Sequence, residues 1–138
     1  VGLAQGAMDL SADFVRERSA FGQPIGDFQG LRWIVADMAI AVEASRQLMY
    51  SAAAMVDRGV RGYELAQAAA IAKCFATDSA MKVATDAVQL FGAAGISNEY
   101  PINRFFRDAK VLQIVEGTNQ IQRNIIARSV LGKPSAGR

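Results

Sequence analysis

The 138-residue sequence predicts an all-α chain, an up-and-down bundle of four main helices with a short connecting helix. Three observations lead there. Apolar residues recur at spacings of three and four in every long segment. No segment shows the two-residue alternation of a strand. Glycine and proline gather at a few breaks that separate the periodic stretches.

The first helix runs from Leu3 to about Arg18, with Leu3, Ala7, Leu10 and Phe14 on one face. Gly22, Pro24 and Gly26 then interrupt the period, and Asp27 stands where an N-cap is wanted. From about Phe28 to Arg58 a seam of Leu31, Val35, Met38, Val42, Ser45, Met49, Ala52 and Val56 alternates spacings of four and three, predicting a helix on the order of 45 Å long. Gly59 and Gly62 bracket a turn. Leu65, Ala69, Ala72, Ala76, Val83, Ala87 and Leu90 carry a second long helix to about Phe91, antiparallel to the first and close to it because of its alanines. After a break at Gly92 to Asn98, Pro101 opens the connecting helix to about Asp108. The last helix spans about Thr118 to Leu131, with Ile121 and Ile125 inward and Arg123 and Arg128 on other faces. Gly132 and Pro134 end it, so residues 1–132 form one bundle domain and 133–138 a flexible tail.

Composition narrows the chemistry. One cysteine, Cys74, excludes an internal disulfide, and the absence of histidine excludes Cys/His zinc sites and histidine-based triads. A base must then be a carboxylate, lysine or tyrosine. No apolar run of roughly 18 residues predicts a membrane span. The chain starts at Val1 without a signal peptide's basic region, as a fragment of a longer protein would. Cys74, mid-helix and buried, suits a reducing compartment. Residues 1–100 hold 8 basic and 11 acidic side chains, whereas residues 101–138 hold 7 and 2, a basic end suited to phosphate-bearing partners. A nucleic-acid surface is disfavoured, because aromatics are not interleaved there and Phe105 and Phe106 read as core.

Glu116 stands apart among the acids. It follows Ile114 and Val115 at a break between helices, where desolvation by apolar neighbours would raise its pKa toward that of a useful base. The other reading is an N-terminal helix acid favoured by the helix dipole. Asp108, between Arg107 and Lys110, reads as an ion-pair partner. Gly117, Thr118 and Gln120 open the last helix, whose free N–H groups suit an anion or oxyanion, or simply a well-capped start. Arg16, Arg18, Phe21 and Gln29 flank the first Gly/Pro break, and arginine with an aromatic and an amide suits a pyrophosphate and an adenine. Gln89, Gly92 and Gly95 sit at the next break, where backbone could approach a ligand or merely end a helix.

Five stretches share a pattern. They are Arg18 to Ile25 with Phe28-Gln29, Gln89 to Gly92, Glu99-Tyr100-Pro101, Arg107 to Lys110, and Glu116-Gly117-Thr118-Asn119-Gln120-Ile121-Gln122-Arg123. In order and spacing, over about residues 1–132, they closely resemble the C-terminal helical domain of the acyl-CoA dehydrogenase family. The resemblance implies that Glu116 removes the α-proton of an acyl-CoA thioester while the β-hydrogen passes as hydride to FAD, giving the 2-enoyl-CoA. It implies a thioester contact from the Gly117 N–H and a position near the CoA portion for Arg128. Thr118 and Gln120 match FAD contacts. Arg18, Phe21, Gln29, Gln89, Gly92 and Ala93 match contacts to the diphosphate and adenosine part, made across a subunit interface, so a homodimer or homotetramer is expected.

An electron-transfer flavoprotein would take the electrons, in a bacterial cytoplasm or a mitochondrial matrix. Ala20, Ala93 and Val115 depart from residues frequent in the family: a hydroxyl, a glycine and a tyrosine. The family's other two domains, which supply most of the flavin-ring and acyl pocket, are not in the chain, so the fragment alone is expected to be inactive. An acyl-CoA oxidase-like member and a non-catalytic bundle or assembly subunit are the competing readings.

Overall fold

A computed structural model describes residues 1–132; the tail expected at 133–138 lies outside the described residues. Helix α1 covers Gly2–Glu17. A two-rung antiparallel hairpin follows, β1 (Ser19–Ala20) paired with β2 (Gln23–Pro24), and then a 3₁₀ turn, Ile25–Asp27. The long helices α2 (Gln29–Asp57) and α3 (Tyr63–Phe91) are joined by a short connection and pack along each other. A second 3₁₀ turn, Gly92–Gly95, leads to α4 (Ile102–Leu112) and α5 (Asn119–Leu131). The all-α bundle predicted from the sequence is the architecture found. The hairpin was not anticipated, because strands of two residues are too short to show alternation.

α3 is the central helix, packing against α1, α2, α4 and α5. That position explains its composition. Ala70, Ala72, Ala80, Ala84 and Ala87 are buried on several faces, where larger side chains would hold the neighbouring helices apart. Met38, Val83 and Ile102 are fully buried, and Phe14 stacks on Phe91 at 4.1 Å between ring centroids with Tyr100 edge-on to both. Ser11 and Ser45, also buried, satisfy their hydroxyls by donating to the carbonyls of Ala7 and Ala41 at 2.7 Å.

Several expectations change. The α2 seam is buried at Met38, Val42 and Ser45 but exposed at Met49 and Val56. α1 is only 16 residues long, about 24 Å, against 29 residues, about 44 Å, for α2, and near the start of α1 Gln5 accepts from the Arg46 guanidinium. The outer half of the α2–α3 hairpin therefore projects past α1. Leu10 is exposed too, since the inner face of α1 is Ala4, Ala7, Ser11 and Val15. Asp27 is no N-cap: the 3₁₀ turn puts Phe28 at that position, where its N–H donates to the Ile25 carbonyl. Pro101 is the N-cap of α4 rather than its first residue, and α4 continues one turn past Asp108. Phe106 faces outward, while Phe105 packs on the core. Asp108 forms no ion pair among the described residues. Most informative is α5. Ile121 is 51 % exposed, and the buried residues of this helix are Asn119 and Gln122. No helix among the described residues is long and apolar enough to cross a membrane.

Candidate functional site

At the first break, Phe21 and Gly22 are the two residues of the hairpin loop, with φ of +53° and +82°. A two-residue loop needs left-handed backbone to match the strand twist, which glycine and asparagine supply easily and phenylalanine does not. Phe21 is 96 % exposed, with the Phe28 ring edge-on to it at 6.2 Å between centroids. Arg18 leaves α1 in extended conformation, and its carbonyl accepts the Ile25 N–H. Beside it lies a cleft of about 390 Å³ that Arg18 shares with Gln89, Gly92 and Ala93, floored by Phe91 and Tyr100. Gly92 ends α3 at φ +58°, and a Cβ there would meet nothing within 4 Å, so the backbone borders open space. The structure thus brings four of the predicted residues together. Phe21 and Gln29 do not line that cleft; they stand on the hairpin loop and at the first position of α2.

The second group lies on the α4–α5 connection. Glu116 and Gly117 are consecutive left-handed residues, with φ of +56° and +85°. Glu116 is exposed, as are Ile114 and Val115. The desolvation expected from these neighbours is therefore not supplied within this chain: sequence neighbours on a turn point outward with the carboxylate. The loop is held by its carbonyls. Gln122 Nε2 donates to Glu116 O and to Gly117 O, each at 3.2 Å, and Lys73 Nζ donates to Gly117 O at 2.9 Å. Among the described residues the Gly117 N–H has no acceptor. Thr118 caps α5, its hydroxyl oxygen accepting the Ile121 N–H at 3.3 Å, which leaves its own hydrogen to donate. Gln120, the second residue of α5, is exposed, and Arg128 borders a cleft of about 630 Å³ with Ile121, Ile125 and Leu131.

Behind the loop, α3 presents a polar stripe that sequence reasoning did not single out. Lys73 donates to Asn119 Oδ1 at 2.7 Å, and Asn119 Nδ2 donates to Asp78 Oδ1 at 2.7 Å. Asp78 also receives Gln113 Nε2 at 2.7 Å and Arg123 Nη2 at 2.6 Å. Partial burial pushes the Asp78 carboxyl up, but the bonds from Arg123, Asn119 and Gln113 outweigh it and hold the pKa below the ordinary value. A depressed carboxylate pKa contributes stability above about pH 4 that is lost as pH falls through the folded value. Melting temperature is therefore expected to fall on acidification below about pH 4, and Asp78→Asn should make that fall shallower. Glu43, held down by Gln47 and Arg46, retains its share. An unchanged acid limb in Asp78→Asn would contradict this assignment.

A family model described as acyl-CoA dehydrogenase, C-terminal domain, matches residues 1–131. The chain belongs to this family. It is 51 % identical over 131 residues to a probable acyl-CoA dehydrogenase, fadE25, of Mycobacterium bovis, covering 95 % of this chain and 33 % of that protein. Butyryl-CoA dehydrogenase from Megasphaera elsdenii superposes with a TM-score of 0.90 at 42 % identity, covering 94 % of this chain and 33 % of that one. A chain from the structure of the electron transferring flavoprotein of Acidaminococcus fermentans gives 0.91 at 45 %, covering 96 % and 34 %. An FAD complex of PigA gives 0.87 at 30 %, covering 95 % and 33 %. The chain spans about a third of the length of the relatives it matches.

This acyl-CoA dehydrogenase domain keeps its two groups of candidate residues apart. Lys73 touches the Glu116 loop, whereas Gln89 lies sixteen residues further along α3, a rise of about 24 Å. The residues that tie the loop down are Lys73, Asn119 and Gln122. The available signal was the spacing of Asn119 and Gln122, two amides three apart on the face of α5 that should have been apolar.

Proposed function

We propose that this chain is the C-terminal domain, residues 1–132, of an FAD-dependent acyl-CoA dehydrogenase, and that Glu116 is its base. The carrying observation is the Glu116–Gly117 loop, where two left-handed residues present an exposed carboxylate beside a backbone N–H that has no acceptor among the described residues. In the reaction, the Glu116 carboxylate removes the α-proton of an acyl-CoA. The Gly117 N–H donates to the thioester oxygen and stabilises the enolate-like charge as it develops. FAD, when bound, supplies a hydride acceptor for the β-hydrogen, and the product is the 2-enoyl-CoA. Thr118 and Gln120 would offer hydrogen bonds to the flavin nearest this loop, and Arg128 a charge to the CoA portion.

The hairpin cleft fits the other end of such a cofactor. Arg18 suits a diphosphate, Gln89 and Gly92 offer an amide and unobstructed backbone, Ala93 borders the same space, and Phe21 with Gln29 suits an adenosine. The distance between the two groups supports a homodimer or homotetramer in which the hairpin of one subunit meets FAD held at the loop of another. Exposed Trp33, Ile40, Tyr50 and Val130 would be covered in that assembly. Electrons would leave to an electron-transfer flavoprotein, in a bacterial cytoplasm or a mitochondrial matrix.

The test is anaerobic addition of acyl-CoA thioesters to the full-length flavoprotein, with bleaching of the flavin absorbance expected. No bleaching with any chain length or branching would overturn the proposal. Oxygen consumption without an electron-transfer flavoprotein would favour an oxidase. Arg18→Ala is expected to weaken FAD retention about tenfold or more while leaving melting of the apoprotein unchanged, since Arg18 is exposed.

A further inference from the structure

Both α1 and α3 end at the cleft beside the hairpin, Arg18 closing α1 and Gly92 closing α3. The C-terminal end of a helix carries partial negative charge, so an anion held between two such ends depends on a well-placed cation. Among the described residues that line this cleft, Arg18 is the only one. Phe14 fixes its backbone on one side: the Arg18 N–H donates to the Phe14 carbonyl at 2.9 Å, while the Arg18 carbonyl accepts the Ile25 N–H at 2.8 Å. On the other wall Phe91 stands between Gln89 and Gly92, and the Gly92 N–H donates to the Gln89 carbonyl. The Phe14 and Phe91 rings stack on each other, 4.1 Å between centroids and 18° from parallel. Tyr100 stands edge-on to both, at 6.0 and 5.4 Å. Phe91 is only 6 % exposed, so its ring serves the packing rather than a ligand. The groups suited to a diphosphate thus come from two separate helices, and at this end of the bundle the stacked rings fasten one helix to the other.

We propose that Phe14 is a positioning residue of the dinucleotide cleft. Its ring, stacked on Phe91, sets the spacing between the ends of α1 and α3, and its carbonyl carries Arg18 at that spacing. The guanidinium and the Gln89–Gly92 wall then face one diphosphate without rearrangement, which lowers the cost of binding. The inference rests on the reading of this cleft as part of the FAD site. The effect of Phe14 is made through Arg18, so it exists only while Arg18 is there to be placed.

FAD titration of the full-length apoprotein tests it, with the dissociation constant as the readout. Phe14→Leu and Phe14→Met both remove the ring and keep an apolar side chain; each is expected to weaken FAD binding about fivefold. Phe14→Tyr, which keeps the ring, should bind FAD within about twofold of the unsubstituted protein. Arg18→Ala is the reference. Adding Phe14→Leu to it should weaken binding by less than about twofold more, because residues that act through one another do not add. A general loosening of the bundle would instead lower affinity by the same factor with or without Arg18. Such additive losses, unchanged FAD binding in either folded ring-deleted variant, or a loss in Phe14→Tyr equal to that in Phe14→Leu would overturn the role of Phe14. An Arg18→Ala protein that binds FAD as tightly as the unsubstituted one would instead overturn the reading of the cleft, and the inference with it.

Discussion

Glu116→Gln in the full-length flavoprotein should lower the rate of acyl-CoA-driven flavin bleaching by about 10²–10⁴-fold with FAD still bound. The substitution keeps side-chain length and hydrogen-bonding atoms and removes only the capacity to take a proton. It should leave folding alone: Glu116 is exposed, no ion pair among the described residues includes it, and glutamine meets the same backbone strain at φ +56°. Melting is therefore expected within about 0.5 kcal/mol of the unsubstituted protein. That pairing of a large kinetic loss with an unchanged melt separates an enzyme from a bundle that only assembles. If bleaching persists at the normal rate, the base lies elsewhere and the proposal fails. If no flavin is retained, the substitution has disturbed more than a proton acceptor, contrary to the geometry.

The second large effect concerns stability. Asn119→Leu should destabilise the fold by about 3 kcal/mol, lowering the melting temperature by roughly 10 °C. Asn119 is buried and links Lys73, Thr77 and Asp78 of α3 to the first turn of α5. Leucine fills similar space but leaves a partly buried ammonium and carboxylate each short of a partner, and unmet polar groups cost more than the lost bonds alone. Ile121→Ser is the contrast, since its side chain is half exposed, and it should change stability by less than about 0.5 kcal/mol. Thermal unfolding of both variants decides it: a greater loss from Ile121→Ser would return the apolar residue to the core and make the polar stripe incidental.

The contrast between these two residues shows what could be read without coordinates. Helix spans followed from spacing because the period belongs to each segment by itself, and α2 and α3 came out within a residue or two of their observed ends. The buried face of α5 did not, because it is chosen by the surface it meets. Lys73, Thr77 and Asp78 lie more than forty residues upstream, and only packing reveals that they face α5. Glu116 could be singled out as an isolated acid at a helix break, and Arg18, Gln89, Gly92 and Ala93 by motif. Its exposure could not be anticipated, because adjacency in sequence says nothing about which way a left-handed pair turns. Gln122 escaped notice because it acts on main-chain oxygens, which have no letter in a sequence.

The bond from Lys73 to Gly117 joins residues 44 positions apart, and the first turn of α5 hangs on the same ammonium through Asn119. Fraying of that turn and release of the loop are thus a single opening event. Amide exchange along Asn119–Arg123 should then report the same opening free energy as the Glu116 loop. A molecule that has lost only this edge would keep most of its helical circular dichroism and yet hold no base in place.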